Sequence, residues 1–187
     1  MLIVRRLHAD ELHLIRPIVD KALVTDEAHV RISRLGFQLD YLPTGKPEWR
    51  VFVPVDYADP AIITQDAGSA FYAAFDGDTY IGGAAVTIHP TGWADVIDLR
   101  VDPAFRMQGA GRMLLDKCEH FALKRDLSGL RIACTDGNPA LCRFCEHVGF
   151  TLGGIDRMAL SRTPAERVKP VSRRAGLLFF YRTIQKG

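Results

Sequence analysis

The stretch Val101-Asp102-Pro103-Ala104-Phe105-Arg106-Met107-Gln108-Gly109-Ala110-Gly111-Arg112 leaves an expected strand, turns, and enters an expected helix through two glycines. Glycine lets the backbone approach a ligand closely, and the amides of a first helical turn point outward at the positive end of the helix dipole. Binding of a phosphate group is the chemistry this layout suits, although ordinary tight turns also use glycine before a helix. No Lys-Ser or Lys-Thr follows the glycines, so a triphosphate loop is unsupported. Leu114 stands where a dinucleotide fingerprint needs its third glycine. The expected ligand is a pyrophosphate carried by some other group.

A second cluster that could do chemistry is Cys142-Arg143-Phe144-Cys145. A redox C-x-x-C sits at a helix start, whereas this one begins about a turn in, and no second ligand pair follows at zinc spacing. No metal is expected. With Cys118 and Cys134 these are the four cysteines of the chain, all in segments read as core helix or strand, which suits a reducing compartment.

The elements that must position these groups come from a chain of 187 residues, 48% apolar and 25% charged, with net charge +2. That is enough for a single domain over 1–187 that buries about two-thirds of its unfolded surface. The charge is too small to argue for nucleic acid, and no apolar run approaches a membrane span. Met1-Leu2-Ile3-Val4-Arg5-Arg6 turns charged where a signal peptide needs its apolar region, so it reads as a strand and the protein as cytoplasmic.

After that strand, Asp10 is expected to cap a helix burying Leu12, Ile15, Val19, Ala22 and Leu23, kinked or started at Pro17, with a second short helix over 26–37. The segment 41–68, with four prolines, reads as a long loop or insertion. Strands at 69–75, 80–89 and 94–101 are joined by short turns and should be antiparallel. A helix over 109–125 buries Leu114, Leu115, Cys118, Phe121 and Ala122 and crosses to a strand at 130–135, parallel to 94–101. Asn138 caps a helix with Pro139 at its first position and Gly149 at its end. A strand at 150–160, a linker at 162–174 and a last strand at 177–184 complete a mixed α/β sheet with helices on both faces.

That order, with the glycine loop after the fourth strand, resembles the GNAT superfamily of acyl-CoA-dependent N-acyltransferases. Arg106-Met107-Gln108-Gly109-Ala110-Gly111 meets the family's phosphate-binding pattern, and Asn138 through Cys145 followed by Gly149-Phe150 meets part of a second. Within the superfamily, 149–156 (Gly-Phe-Thr-Leu-Gly-Gly-Ile-Asp) and 69–75 (Ser-Ala-Phe-Tyr-Ala-Ala-Phe) are similar to the streptothricin acetyltransferases. The resemblance implies about seven strands, with strands two to four antiparallel and a splayed parallel pair between strands four and five. It also implies acetyl-CoA as co-substrate, with no metal. The pyrophosphate would lie on Arg106, Met107, Gln108, Gly109, Ala110, Gly111 and Arg112, and the pantetheine against Leu99, Arg100 and Val101. Asn138, with Ala140 and Phe144 on its helix, would reach the pantetheine.

Acyl transfer by direct attack needs a base for the amine, donors for the developing oxyanion, and a proton for the leaving thiolate. Asp95, Asp98 and Asp156 are the candidate bases. The first two are three residues apart on one strand, so alternation puts them on opposite faces. Cys145 stands where the family most often has the tyrosine acid, and a thiol near its ordinary pKa of about 8.5 matches a CoA thiolate; core packing is its other reading. Streptothricin acetyltransferases carry an acidic run before the hairpin and an aromatic end to the sixth strand. Here those places read Pro60-Ala61-Ile62-Ile63-Thr64-Gln65-Asp66 and Arg157-Met158-Ala159-Leu160, implying a less acidic, more apolar acceptor pocket. The expected activity is acetyl transfer to a primary amine of a small molecule. A CoA-binding sensor without chemistry and a protein N-terminal acetyltransferase are the alternatives, and a homodimer is compatible with the sequence.

Overall fold

The computed structural model describes residues 1–52, 59–160, 168 and 175–184. In chain order its elements are β1 (Leu2–Leu7), β2 (Lys21–Ser33), β3 (Gly36–Val51), α1 (Pro60–Gln65), β4 (Ser69–Asp76), β5 (Thr79–Ile88), β6 (Ala94–Val101), α2 (Ala110–Leu123), β7 (Gly129–Thr135), α3 (Pro139–His147), β8 (Thr151–Asp156) and β9 (Leu177–Thr183), with 3₁₀ turns at Ala9–Leu14 and Pro103–Phe105. Seven strands hydrogen-bond in the order β1-β4-β5-β6-β7-β9-β8, and β2 pairs with β3 in a separate two-stranded sheet. The chain divides into two compact units, one of Met1–Lys21, Val51–Ile132 and Thr183–Gly187, the other of Ala22–Arg50 and Ala133–Arg182.

In the first unit, β1, β4, β5 and β6 are antiparallel neighbours. The β4–β5 connection is the tight turn read from Asp76-Gly77-Asp78, with Gly77 at φ +56°. Small residues dominate the centre of this sheet: Ala70, Ala73, Ala74, Ala84 and Ala85 are fully buried. They let helices approach closely on both faces. One face carries Leu7, Phe71, Phe75, Ala85 and, from α1, Ile63, with Leu14, Ile15, Tyr80 and Ile97 packed around them. The other receives α2, whose Leu114, Leu115, Cys118, Phe121 and Ala122 are all buried, as the 3.6-residue spacing predicts. Burial of those five side chains is the main anchor of the helix, at about 2 kcal/mol for each large one.

The parallel pair is present and short. Ala94, Asp95 and Val96 pair with Leu130, Arg131 and Ile132, while β6 runs on to Val101 paired with β5. A bulge interrupts the β5–β6 register between Ala85 and Val86, leaving Ile97 without a partner in it. Because Thr87 faces Asp95 and Ala85 faces Asp98, the two aspartates lie on the same face of the sheet. Simple alternation put them on opposite faces; the extra residue reverses the phase.

The largest departures from the sequence reading fall between Ala9 and Gln65. The helices expected over 10–23 and 26–37 are a single 3₁₀ turn that stops at Leu14, followed by the strand β2. Pro17 has no amide to donate and drives the residue before it out of helical space. From there the inward positions recur every second residue, with Val24 and Ala28 buried while Val19 and Leu23 are 59% and 49% exposed. Likewise, the start of the 41–68 segment belongs to β3, which tolerates Pro43 and Pro47 because each strand of a two-stranded sheet has an outer edge that needs no donor. The same segment also contains α1. Asn138 and Pro139 start α3 as expected, with Asn138 Oδ1 accepting from Leu141 N at 3.1 Å. The strand expected over 150–160 ends at Asp156, and the linker 162–174 falls outside the described residues apart from Val168. Among the described residues no helix is long and apolar enough to cross a membrane.

Candidate active site

The glycine loop is built by β6, which delivers the chain to Val101, and by two left-handed residues that turn it. Asp102 Oδ1 accepts from Ala104 N at 2.9 Å and starts the short 3₁₀ turn. Met107 then takes φ +62° with its side chain fully exposed, and Gly109 takes φ +89° at the N-cap of α2. Gly109 offers no capping side chain, and the first amide closed within the helix is Met113 N on Gly109 O at 3.0 Å. The amides of Ala110, Gly111 and Arg112 are therefore the helix's open donors. Nothing lies within 4 Å of where a Cβ on Gly109 would stand, so the N-cap position itself is open. Arg112 is exposed beside them.

Arg106 is occupied differently from the sequence expectation. Its Nε donates to Val101 O at 3.1 Å, its Nη1 to Lys21 O at 3.2 Å, and its Nη2 pairs with Asp20. Three bonds to protein groups make it the brace of the loop.

Asp98 is buried, and Arg100, two residues on, grips its carboxylate with Nε and Nη2 at 2.5 to 3.1 Å. Arg100, expected to meet a cofactor through its strand backbone, thus sends its side chain into an ion pair. The pair lies on the floor of a cavity of about 540 Å3, walled by the 12–18 segment, the start of α1, Phe71 and Tyr80. Tyr80 was not singled out from sequence, since nothing but its place after a hairpin turn marks it. Burial, reinforced by the Asp98 charge, pushes its hydroxyl pKa up to about 12, so it stays a hydrogen-bond donor.

Asp95 accepts from Arg131 Nη1 at 2.6 Å, with side chains 11% and 15% exposed, and it does not line the cavity. This ion pair bridges the two parallel strands. Asp95→Ala, which removes the carboxylate that Arg131 grips across the parallel strands, is expected to lower stability by about 3 kcal/mol in urea unfolding and to leave acetyl-CoA affinity within about twofold. An unchanged urea midpoint would show that the pair carries no load.

The remaining sequence candidates belong to the second unit. Asn138 is buried, Ala140 exposed and Phe144 half-buried on α3. Cys145 is fully buried, and that burial pushes its thiol pKa up. Cys134 and Cys142 are also buried, with sulfurs 3.6 Å apart. Asp156 Oδ1 accepts from Met158 N at 2.7 Å and Ala159 N at 3.0 Å, closing the turn that ends β8. Among the described residues no group of three or more His, Cys, Asp or Glu side chains is arranged to hold a metal.

The site thus sits in a mixed α/β sheet whose parallel pair stops after three residues and whose longer strand feeds an uncapped helix start. The chain belongs to the acetyltransferase (GNAT) family, whose model matches residues 39–150. It is 26% identical over 142 residues to the streptothricin acetyltransferase of Escherichia coli, covering 76% of this chain and 77% of that protein. Its fold matches a candidate streptothricin acetyltransferase from Bacillus anthracis, solved in complex with acetyl coenzyme A, with TM-score 0.84, 18% identity, and 98% and 100% of the two chains covered. A nourseothricin acetyltransferase structure matches with TM-score 0.77, 22% identity, and coverage of 98% and 99%.

Proposed function

We propose that the chain transfers an acetyl group from acetyl-CoA to a primary amine of a small molecule, by direct attack within a ternary complex. The observation that carries this reading is the uncapped start of α2 at the end of β6, with no side chain on Gly109 and nothing within 4 Å of where its Cβ would stand. Bound acetyl-CoA supplies the activated acetyl group and a thiolate leaving group. The amides of Ala110, Gly111 and Arg112 hold its pyrophosphate, and the β6 backbone around Leu99 and Val101, past the end of the β7 pairing, offers amide partners to the pantetheine. The contribution of Asn138, Ala140 and Phe144 to that arm rests on their motif alone.

Asp98 is the preferred base, because it alone of the three aspartates lines the cavity. Its carboxylate, oriented by Arg100, takes the proton of the entering amine. Backbone amides of β6 beside the bulge face the developing oxyanion. Solvent returns the proton to the thiolate, since the Cys145 thiol is buried and its proton held more tightly than usual. Cys145→Ala is accordingly expected to keep kcat within about twofold while costing about 1 kcal/mol in packing; a fall in kcat of a hundredfold with unchanged melting would restore the thiol as the acid.

The reading is tested by following thiol release from acetyl-CoA with the purified chain and a broad panel of amines. Turnover with free amines supports it. Tight acetyl-CoA binding with no transfer to any acceptor points to a sensor, and peptides outperforming free amines point to a protein N-terminal acetyltransferase.

A further inference from the structure

The cavity beside Asp98 carries balanced charge. Its lining includes two acids, Asp59 and Asp98, and two bases, Arg16 and Arg100. Asp59 is spent on capping α1 through Ala61 N at 2.9 Å, and Arg16 donates to the carbonyls of His13 and Ile15. Asp98 and Arg100, side by side on one strand, are the charged pair that the sheet itself presents to the cavity, with Arg16 and Asp59 held at its rim by these local bonds. Arg100 commits Nε and Nη2 to Asp98, and its Nη1 has no hydrogen-bond partner among the described residues. Tyr80 adds a hydroxyl donor, and the rest of the wall is mostly apolar.

A polycation entering this space meets a guanidinium for every carboxylate. An ammonium with a carboxylate beside it meets opposite charge at both ends: the ammonium at Asp98, the carboxylate at Arg100 Nη1 and the Tyr80 hydroxyl. The volume of about 540 Å3 exceeds an amino acid's needs and leaves room for an apolar side group.

We infer that the acceptor is a zwitterion, an amino acid or similarly small molecule bearing a carboxylate next to its amine and an apolar side group. Naming it the acceptor rests on the transferase reading above; its charge pattern rests on the cavity alone. The test compares L-leucine and L-phenylalanine with their decarboxylated counterparts, 3-methylbutylamine and 2-phenylethylamine, and with spermidine, by acetyl-CoA thiol release. The amino acids are expected to show kcat/KM at least about tenfold above the matched amines, in keeping with a charge-assisted hydrogen bond. Arg100→Gln is expected to shrink that ratio below about threefold, through KM. Equal or better turnover of the decarboxylated amines or of spermidine by the unmodified chain overturns the inference and leaves the transferase reading standing. If no acceptor releases thiol, calorimetric titration in the presence of CoA decides: amino acid binding that the matched amine lacks upholds the zwitterion site and sinks the transferase reading. Absence of any such binding overturns the inference.

Discussion

Gly109→Asp is expected to lower acetyl-CoA affinity by about two orders of magnitude or more while the protein stays folded. The two effects of the substitution on the fold nearly cancel. A side chain at φ +89° costs about 1 to 2 kcal/mol, whereas an aspartate at a helix N-cap returns about 1 kcal/mol by accepting an open first-turn amide. No neighbour lies within 4 Å of the new Cβ, so no packing term enters. On binding the terms no longer cancel. The carboxylate claims the amides that the pyrophosphate needs and sets a negative charge against it, worth about 4 kcal/mol at 4 Å in a surface dielectric. Gly109→Asn carries the same strain without the charge, and is expected to retain most of the affinity. Calorimetry with CoA alongside thermal melting separates the cases; wild-type affinity in the aspartate variant would show that the phosphates sit elsewhere.

Asp98→Asn is expected to lower kcat by about two to four orders of magnitude, the usual worth of a positioned base, with the acetyl-CoA dissociation constant unchanged. The amide keeps the shape of the carboxylate and one acceptor for Arg100, so gross refolding of the β6 bulge is not anticipated. Pre-steady-state measurement of acetyl transfer isolates the chemical step from product release. A variant with near-normal transfer would move the base to Asp95 or to water.

These two positions also show what a sequence can and cannot disclose. The glycine loop, the α2 face and the Asn138-Pro139 start of α3 are written in local chemistry: a missing side chain, a 3.6-residue spacing, a cap followed by a ring-fixed φ. Each is decided within a few residues, and each was legible. The β2–β3 hairpin was not, because its inward side chains are small and sparse and its prolines mimic a loop until the free strand edge is known. Nor was the shared face of Asp95 and Asp98, which depends on one unpaired residue, Ile97, that only the β5 register exposes. The Arg100 grip on Asp98 is a same-face i, i+2 pair, but the cavity over it is walled by a segment some eighty residues earlier, so no local pattern announces the cavity.

Arg106 has one more consequence. Its guanidinium joins Val101, at the start of the proposed donor seat, to Asp20 and Lys21, and Asp20 stands two residues past Ile18 at the end of the cavity wall. The wall is thus pegged at its far end to the same post that steadies the loop. Substitutions at the cavity-lining positions of 12–18 are therefore expected to alter the pocket while the Arg106 bonds hold the loop after β6 in place. The chain has the anatomy of a socket with interchangeable jaws.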